Sequence, residues 1–232
     1  ADLTGDGIPD LAIGRLPVQT AEEAQAVVSK IISYEQSAVP LRDVLLLADM
    51  ADPDFDFQQA AGQLLPYLPS SLTPWGISRG QFGDDLQVRQ AILQHLNKGK
   101  LLVNYLGHGS MGLWRGNTFT SSDAEAFTNQ SRLSFFVNMT CLNGYFVAPY
   151  GDSLAEELLK NPRGGAVAVW TSSGLTDPNR QLVMNKEFFR ILFNGEAPTL
   201  GEAALGAKRI LGAGDVTKTW IFFGDPTTQL KY

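Results

Sequence analysis

The feature that most limits what this chain can fold into is a set of short runs with no polar face. "VLLLA", "LLVNY", "LSFFVNM" and "AVAVW" are apolar at nearly every position. Strands of that kind are covered on both sides, as in parallel sheets packed between layers of helices. The pattern predicts strands near Leu11–Ile13, Val44–Ala48, Leu101–Tyr105, Leu133–Met139, Ala166–Trp170 and Trp220–Phe223. Helix starts lie between them. Thr20 with Glu23, Ser122 with Glu125, Ser153 with Glu156 and Thr199 with Glu202 have capping-box spacing, in which two side chains serve two otherwise unpaired backbone N–H groups. A further helix is expected from about Asp84 to Asn97, opening on acids and stopping at Gly99. Alternating strands and helices predict an α/β fold, a mostly parallel sheet with helices on both faces. No internal repeat, low-complexity tract or linker interrupts residues 1–232, so one domain is expected.

Composition narrows the partners. Net charge is −6 and no run of Lys and Arg occurs, which disfavours nucleic acid and anionic membrane. No apolar stretch reaches the roughly 18 residues of a membrane span. The first residue is Ala and no signal-peptide pattern precedes it, so a fragment of a longer precursor is expected. A single cysteine allows neither an internal disulfide nor a cysteine-based zinc cluster.

That cysteine, Cys141, ends one apolar run, and His108, one of only two histidines, ends another. Ligands of parallel α/β sheets bind beyond the carboxyl ends of the strands. If the two strands are neighbours, thiol and imidazole share one rim, the minimal nucleophile–base pair. Ordinary packing roles remain open for both residues at this point. So does a dinucleotide fingerprint, since Gly107, Gly109 and Gly112 spell G-x-G-x-x-G. That motif must open a helix, and "LWRGNTFTSS" after it has no helical period. His95, on the helix ending near Asn97, reads as a surface or packing residue.

"PDLAIGRLPV", "LLLAD", "LLVNYLGHGSMGLW", "VNMTCLNGYF", "SLAEELL", "GGAVAVWTSSG", "TLGEAALGAK" and "FFGDPTTQL", in this order and nearly end to end, resemble the gingipain-type cysteine peptidases. The resemblance implies a caspase-like three-layer sandwich over residues 1–232. It implies a catalytic dyad of Cys141 and His108, and an oxyanion hole from the N–H groups of Gly109 and Cys141. An acid orienting the histidine is expected after the second strand, Asp49 first and Asp52 second. Trp170, Thr171, Ser172 and Ser173 begin the segment implied to line the first specificity pocket, which runs to Thr176. Asp54 or Asp56 could supply the acid that a basic substrate side chain requires. The implied protein is a secreted or cell-surface bacterial endopeptidase acting on protein or peptide substrates, needing no catalytic cofactor and joined to other domains of its precursor. The alternative is a caspase-like interaction or surface module of a large bacterial protein, without significant peptidase activity.

Two signals lie outside this chemistry. "DLTGDGIPD" offers oxygens from Asp2, Thr4, Asp6, Asp10 and the Ile8 carbonyl around a Gly7 turn, a shortened form of loops that wrap Ca²⁺, so a structural calcium ion is expected. Asn129 and Asn138 begin glycosylation sequons, the second within a buried strand where modification is not expected.

Overall fold

The structure, a computed structural model, describes residues 2–37 and 40–232. The apolar runs become β1 (Asp43–Ala48), β3 (Leu102–Leu106), β6 (Ser134–Met139) and β7 (Ala166–Ser172), with nearly every residue buried. With β2 (Thr73–Ser78) and β8 (Trp220–Phe223) they form a six-stranded sheet in the order β2-β1-β3-β6-β7-β8. All neighbours are parallel except β7 and β8. A two-stranded hairpin, β4 (Gly109–Ser110) with β5 (Leu113–Trp114), stands beyond β3.

The helices are α1 (Ala21–Gln36), α2 (Phe57–Gly62), α3 (Asp85–Leu96), α4 (Ser121–Ala126), α5 (Leu154–Lys160), α6 (Pro178–Asn194), α7 (Leu200–Arg209) and α8 (Asp215–Thr219). Side-chain alternation along the strands gives each face its own cover. Phe135 and Trp170 meet Phe188 of α6, with α2 against β1 and β3 on the same side. Phe136 points the other way, to Phe119, where α1, α4 and α5 pack together. Helices on both faces of a mostly parallel sheet are the expected architecture.

Two local expectations are corrected and one strand is added. Leu11–Ile13 is not a strand: Leu11 and Ile13 are exposed, and only Arg15 bridges to Phe223 beside β8. The edge strand β2, which carries Pro74 and Gly76, is absent from the expected strands. An edge tolerates Pro, whose missing N–H costs a ladder bond only on a paired side. Finally, α4 is capped by Thr120 and Asp123, not by Ser122 and Glu125. Asp123 Oδ2 accepts the Thr120 N–H at 2.9 Å and Oδ1 pairs with Arg89 at 2.6 Å, so the earlier acid anchors the helix twice.

Both sequon asparagines are buried. Asn138 lies inside β6, and Asn129 exchanges hydrogen bonds with Gly165, accepting its N–H at 2.7 Å and donating to its carbonyl at 3.2 Å. His95 leans on Trp75 of the edge strand, ring centroids 5.2 Å apart, and burial lowers its pKa. It is a packing residue.

One buried polar pair inside the α6 layer satisfies itself. Asn104 of β3 and Asn185 of α6, both fully buried, exchange reciprocal amide bonds of 3.0 and 3.1 Å. Removing one partner strands the other's amide, which costs about 1–3 kcal/mol, whereas replacing both with apolar groups of similar shape is nearly neutral. Asn104→Leu and Asn185→Leu should each lower unfolding free energy by that amount. The double variant should lose less than the sum, as measured by a denaturant double-mutant cycle.

Candidate active site

The strand order reverses between β1 and β3, since β1 continues to β2 on one side while the chain returns to β3 on the other. Parallel α/β sheets place their ligand crevice at the carboxyl end of such a switch point. The loops leaving β1, β3 and β6 meet there, and they carry Asp49 to Asp56, His108 and Cys141. In the β3–β6 ladder Leu106 stands opposite Met139, and the Gly107 N–H continues the pairing to the Met139 carbonyl at 3.2 Å. His108 and Cys141 each come two residues after that last pair, so register alone brings them to one rim.

His108 is gripped at both ends of its backbone and at its ring. Its N–H donates to Asp49 Oδ2 at 3.1 Å. Its carbonyl accepts from the Tyr105 hydroxyl at 2.7 Å and from the Arg115 N–H at 2.9 Å. Burial raises the Tyr105 pKa well above its ordinary value, so the phenol stays protonated and stays a donor. The Nε2 atom lies 2.7 Å from Asp52 Oδ2, and Phe57 meets the ring edge-on at 5.2 Å.

The acid at the imidazole is therefore Asp52, not Asp49. Asp52 is fixed by its own turn: its Oδ1 accepts the N–H groups of Asp54 and Phe55 at 3.0 and 2.8 Å. The bond from His108, then the Asp54 amide, holds its carboxyl below its usual pKa. A carboxyl with a depressed folded pKa supports its contact above the unfolded value and loses it as pH falls through the folded one. The anchor is intact at neutral pH and fails only in acid. Asp49 comes too soon after β1 to reach the ring. Its buried carboxylate takes the backbone N–H of His108, the Met50 N–H at 2.8 Å and Arg79 Nη1 at 3.0 Å. Arg79 also grips Asp85 with Nε and Nη2, at 2.6 and 2.8 Å.

Cys141 is half-buried, its Sγ 3.8 Å from both the carbonyl and the hydroxyl oxygen of Thr176. The next residue, Leu142, has φ of +61°. That left-handed conformation costs a non-glycine residue roughly 1–2 kcal/mol. It is held by the Leu142 N–H donating to Gly174 at 3.2 Å and the Gly144 N–H to Ser172 at 2.9 Å.

Two N–H groups of the rim, one on the hairpin after β3 and one on the turn after β6, lack a backbone acceptor. The Arg115 N–H goes to the His108 carbonyl and the Trp114 N–H to Phe119, at 2.9 Å each, so the Gly109–Trp114 pair is the non-hydrogen-bonded kind. The Gly109 N–H consequently has no ladder partner. Among the described residues none accepts the Cys141 N–H either. The glycines around His108 are set by protein neighbours. A Cβ on Gly107 would lie 2.4 Å from the Tyr105 hydroxyl, and one on Gly109 would lie 2.7 Å from Thr140 Oγ1.

The expected pocket segment is only partly at the surface. Trp170 packs on Phe188 and Trp220, and Thr171 and Ser172 are fully buried. The Ser172 hydroxyl bonds Gly174 and Thr219, and Ser173 Oγ donates to the Thr219 carbonyl at 2.9 Å. Period-2 alternation sends Trp170 into the α6 layer. What remains beside Cys141 is Gly174 to Thr176, with Leu175 75% exposed. At the N-terminus, Asp2 accepts from Gly5 and Gly7, Asp6 from Ile8, and Asp10 from Leu3 and Thr4. The loop's acids are turned onto its own amides, and no three metal-ligating side chains converge among the described residues.

Sequence reasoning missed Tyr105, Arg79, Trp114 and Asn143, which hold the site from behind. Tyr105 and Asn143 leave one trace, polar atoms inside apolar runs, as in "NYLGHG" and "CLNG".

A caspase-like α/β fold with a cysteine and a histidine at the carboxyl rim of neighbouring strands defines the class. The sequence profile of peptidase family C25 matches residues 1–231, and the chain belongs to that family. Gingipain R2 of Porphyromonas gingivalis is 24% identical over 252 residues, covering 97% of this chain and 33% of that protein. The chain thus spans about a third of that relative's length. The crystal structure of the Arg-specific cysteine proteinase gingipain R superposes with a TM-score of 0.85 at 22% identity, covering 97% of this chain and 57% of that one. Separase, in the Saccharomyces cerevisiae separase–securin complex, shares the fold at a TM-score of 0.60 and 15% identity, with 96% of this chain and 14% of that one covered.

The two acids should separate by experiment. In a serine-protease triad, losing the acid that orients the histidine costs about 10⁴ in rate. Here the ring is half-exposed and keeps its backbone anchors, so Asp52→Asn should cost about tenfold to a hundredfold in kcat/KM with melting unchanged. Asp49→Asn leaves Arg79 short of one carboxylate and should cost about 3 kcal/mol in stability, read by denaturant unfolding.

Proposed function

We propose that the chain is the catalytic domain of a secreted or cell-surface bacterial cysteine endopeptidase, carried within a longer precursor. The observation that carries this reading is the shared register of β3 and β6, which brings His108 and Cys141 to one rim. No described helix is long and apolar enough to cross a membrane.

In this reading the Cys141 thiol passes its proton to His108, Sγ attacks the scissile carbonyl carbon, and the developing oxyanion takes hydrogen bonds from Gly109 and Cys141 N–H. Such donors are each worth about 2.7–4 kcal/mol in a water-excluded site. His108, with Nε2 held by Asp52, presents Nδ1 to the substrate. It gives a proton to the leaving amine as the C–N bond breaks, leaving a thioester. Water then attacks, His108 takes its proton, and the thiolate departs.

A basic residue before the cut is the preferred substrate feature. Asp54 and Asp56 lie on the same turn as Asp52, and a cation leaving water needs a carboxylate partner. Cys141→Ala should abolish hydrolysis with thermal stability near wild type. A peptide library digested by the wild type should show cuts after Arg or Lys. Cuts chiefly after Asp, Asn or apolar residues would overturn the specificity. An unreactive Cys141 toward iodoacetamide at pH 6, with no hydrolysis, would favour the interaction-module alternative.

Calcium at Asp2, Thr4, Asp6, Ile8 and Asp10 is a separate proposal that rests on the sequence pattern. Binding requires Asp2 and Asp10 to exchange their amide donors for the ion, in a stabilising role by mass action on the folded state. Millimolar Ca²⁺ should raise the melting temperature above that in EDTA. Identical curves remove the proposal.

A further inference from the structure

The two oxyanion donors belong to different stretches of chain, Gly109 on the hairpin after β3 and Cys141 on the turn after β6. Their separation is not fixed by sequence, and a functional constellation must hold to within about 0.5 Å. Asn143 is the side chain that ties the two together. It lies two residues after Cys141 and is fully buried. Its Oδ1 accepts the Trp114 indole N–H at 2.9 Å and the Asn138 amide at 3.4 Å. Its Nδ2 donates to the carbonyls of Ser110 and Leu113, at 2.5 and 3.3 Å. Two donors on one side and two carbonyls on the other fix the amide's orientation. Its own carbonyl accepts the Ala155 N–H at 3.0 Å, fastening the turn to α5.

The tie also reaches the histidine. Trp114, held by Asn143, stacks on Tyr105 at 4.2 Å and 11°, and Tyr105 holds the His108 carbonyl. Only an uncharged amide serves both sides, since a carboxylate faces two carbonyls with charge and no proton.

We infer that Asn143 is a positioning residue that sets the spacing of the Gly109 and Cys141 N–H groups, and so the strength of the oxyanion hole. The inference rests on the peptidase reading. The transition state and a peptide aldehyde's tetrahedral adduct both use the hole, whereas alkylation of the thiol by iodoacetamide does not.

The test compares wild type with Asn143→Ala, Asn143→Asp and the milder Trp114→Phe, which removes only the indole donor. Asn143→Ala and Asn143→Asp should lower kcat by about 10²–10³, the loss typical of one oxyanion donor. KM should stay within about threefold, aldehyde affinity should fall in parallel with kcat/KM, and alkylation should stay within about twofold. Trp114→Phe should move the same readouts in the same direction by about tenfold. The inference is overturned if aldehyde affinity is retained in all three variants. It is equally overturned if alkylation falls as far as aldehyde affinity, which marks general disruption of the site. A wild type that neither hydrolyses peptides nor binds aldehydes overturns the peptidase reading instead, and that outcome needs no variant to be seen.

Discussion

Parallel pairing of β3 with β6 runs in register to Leu106 and Met139, and His108 and Cys141 each lie two residues beyond that pair. A slip of one residue would turn every side chain of the strand to the opposite face. The buried faces oppose it: Phe135 packs in the α6 layer and Phe136 in the layer of Phe119, so a slip would exchange them. Core packing therefore sets the register, and the register sets the relation of imidazole to thiol. Nothing at the rim could restore that relation once the core lost it.

Beyond the last pair the backbone is irregular, and side chains take over from the ladder. Asp49 and Tyr105 hold the two backbone groups of His108, Asp52 holds its ring, and Asn143 joins the hairpin to the cysteine turn. Each of these bonds is worth only about 0.5–1.5 kcal/mol net. Their effect lies in what they immobilise. The left-handed Leu142 costs about as much as one such bond yields, and its N–H donating to Gly174 fastens the turn after Cys141.

Much of this was legible in the sequence. Apolar runs announced β1, β3, β6 and β7 because burial on both faces leaves no polar alternation to confuse the reading. His108 and Cys141 stood out because each is rare and each ends such a run. Edges were harder. Pro74 and Gly76 hid β2, and Leu11–Ile13 looked like a strand because nothing local says that only Arg15 finds a ladder partner. The choice between Asp49 and Asp52 depends on a turn closed by the Asp52 N–H to Phe55 at 3.1 Å, a shape that acid-rich sequence alone does not specify. The family resemblance implies Trp170 and Ser172 for the pocket, but strand alternation and the Thr219 contacts turn them inward.

The central claim is that Cys141 forms a covalent acyl intermediate at the rim where β3 and β6 end. Rapid acid quench of the chain with an ester of a basic-residue peptide, followed by mass spectrometry of its fragments, tests it most directly. The acyl group should appear on the fragment containing Cys141, as a hydroxylamine-labile thioester. Turnover of the ester with no adduct at Cys141, or with the adduct on another residue, would contradict it.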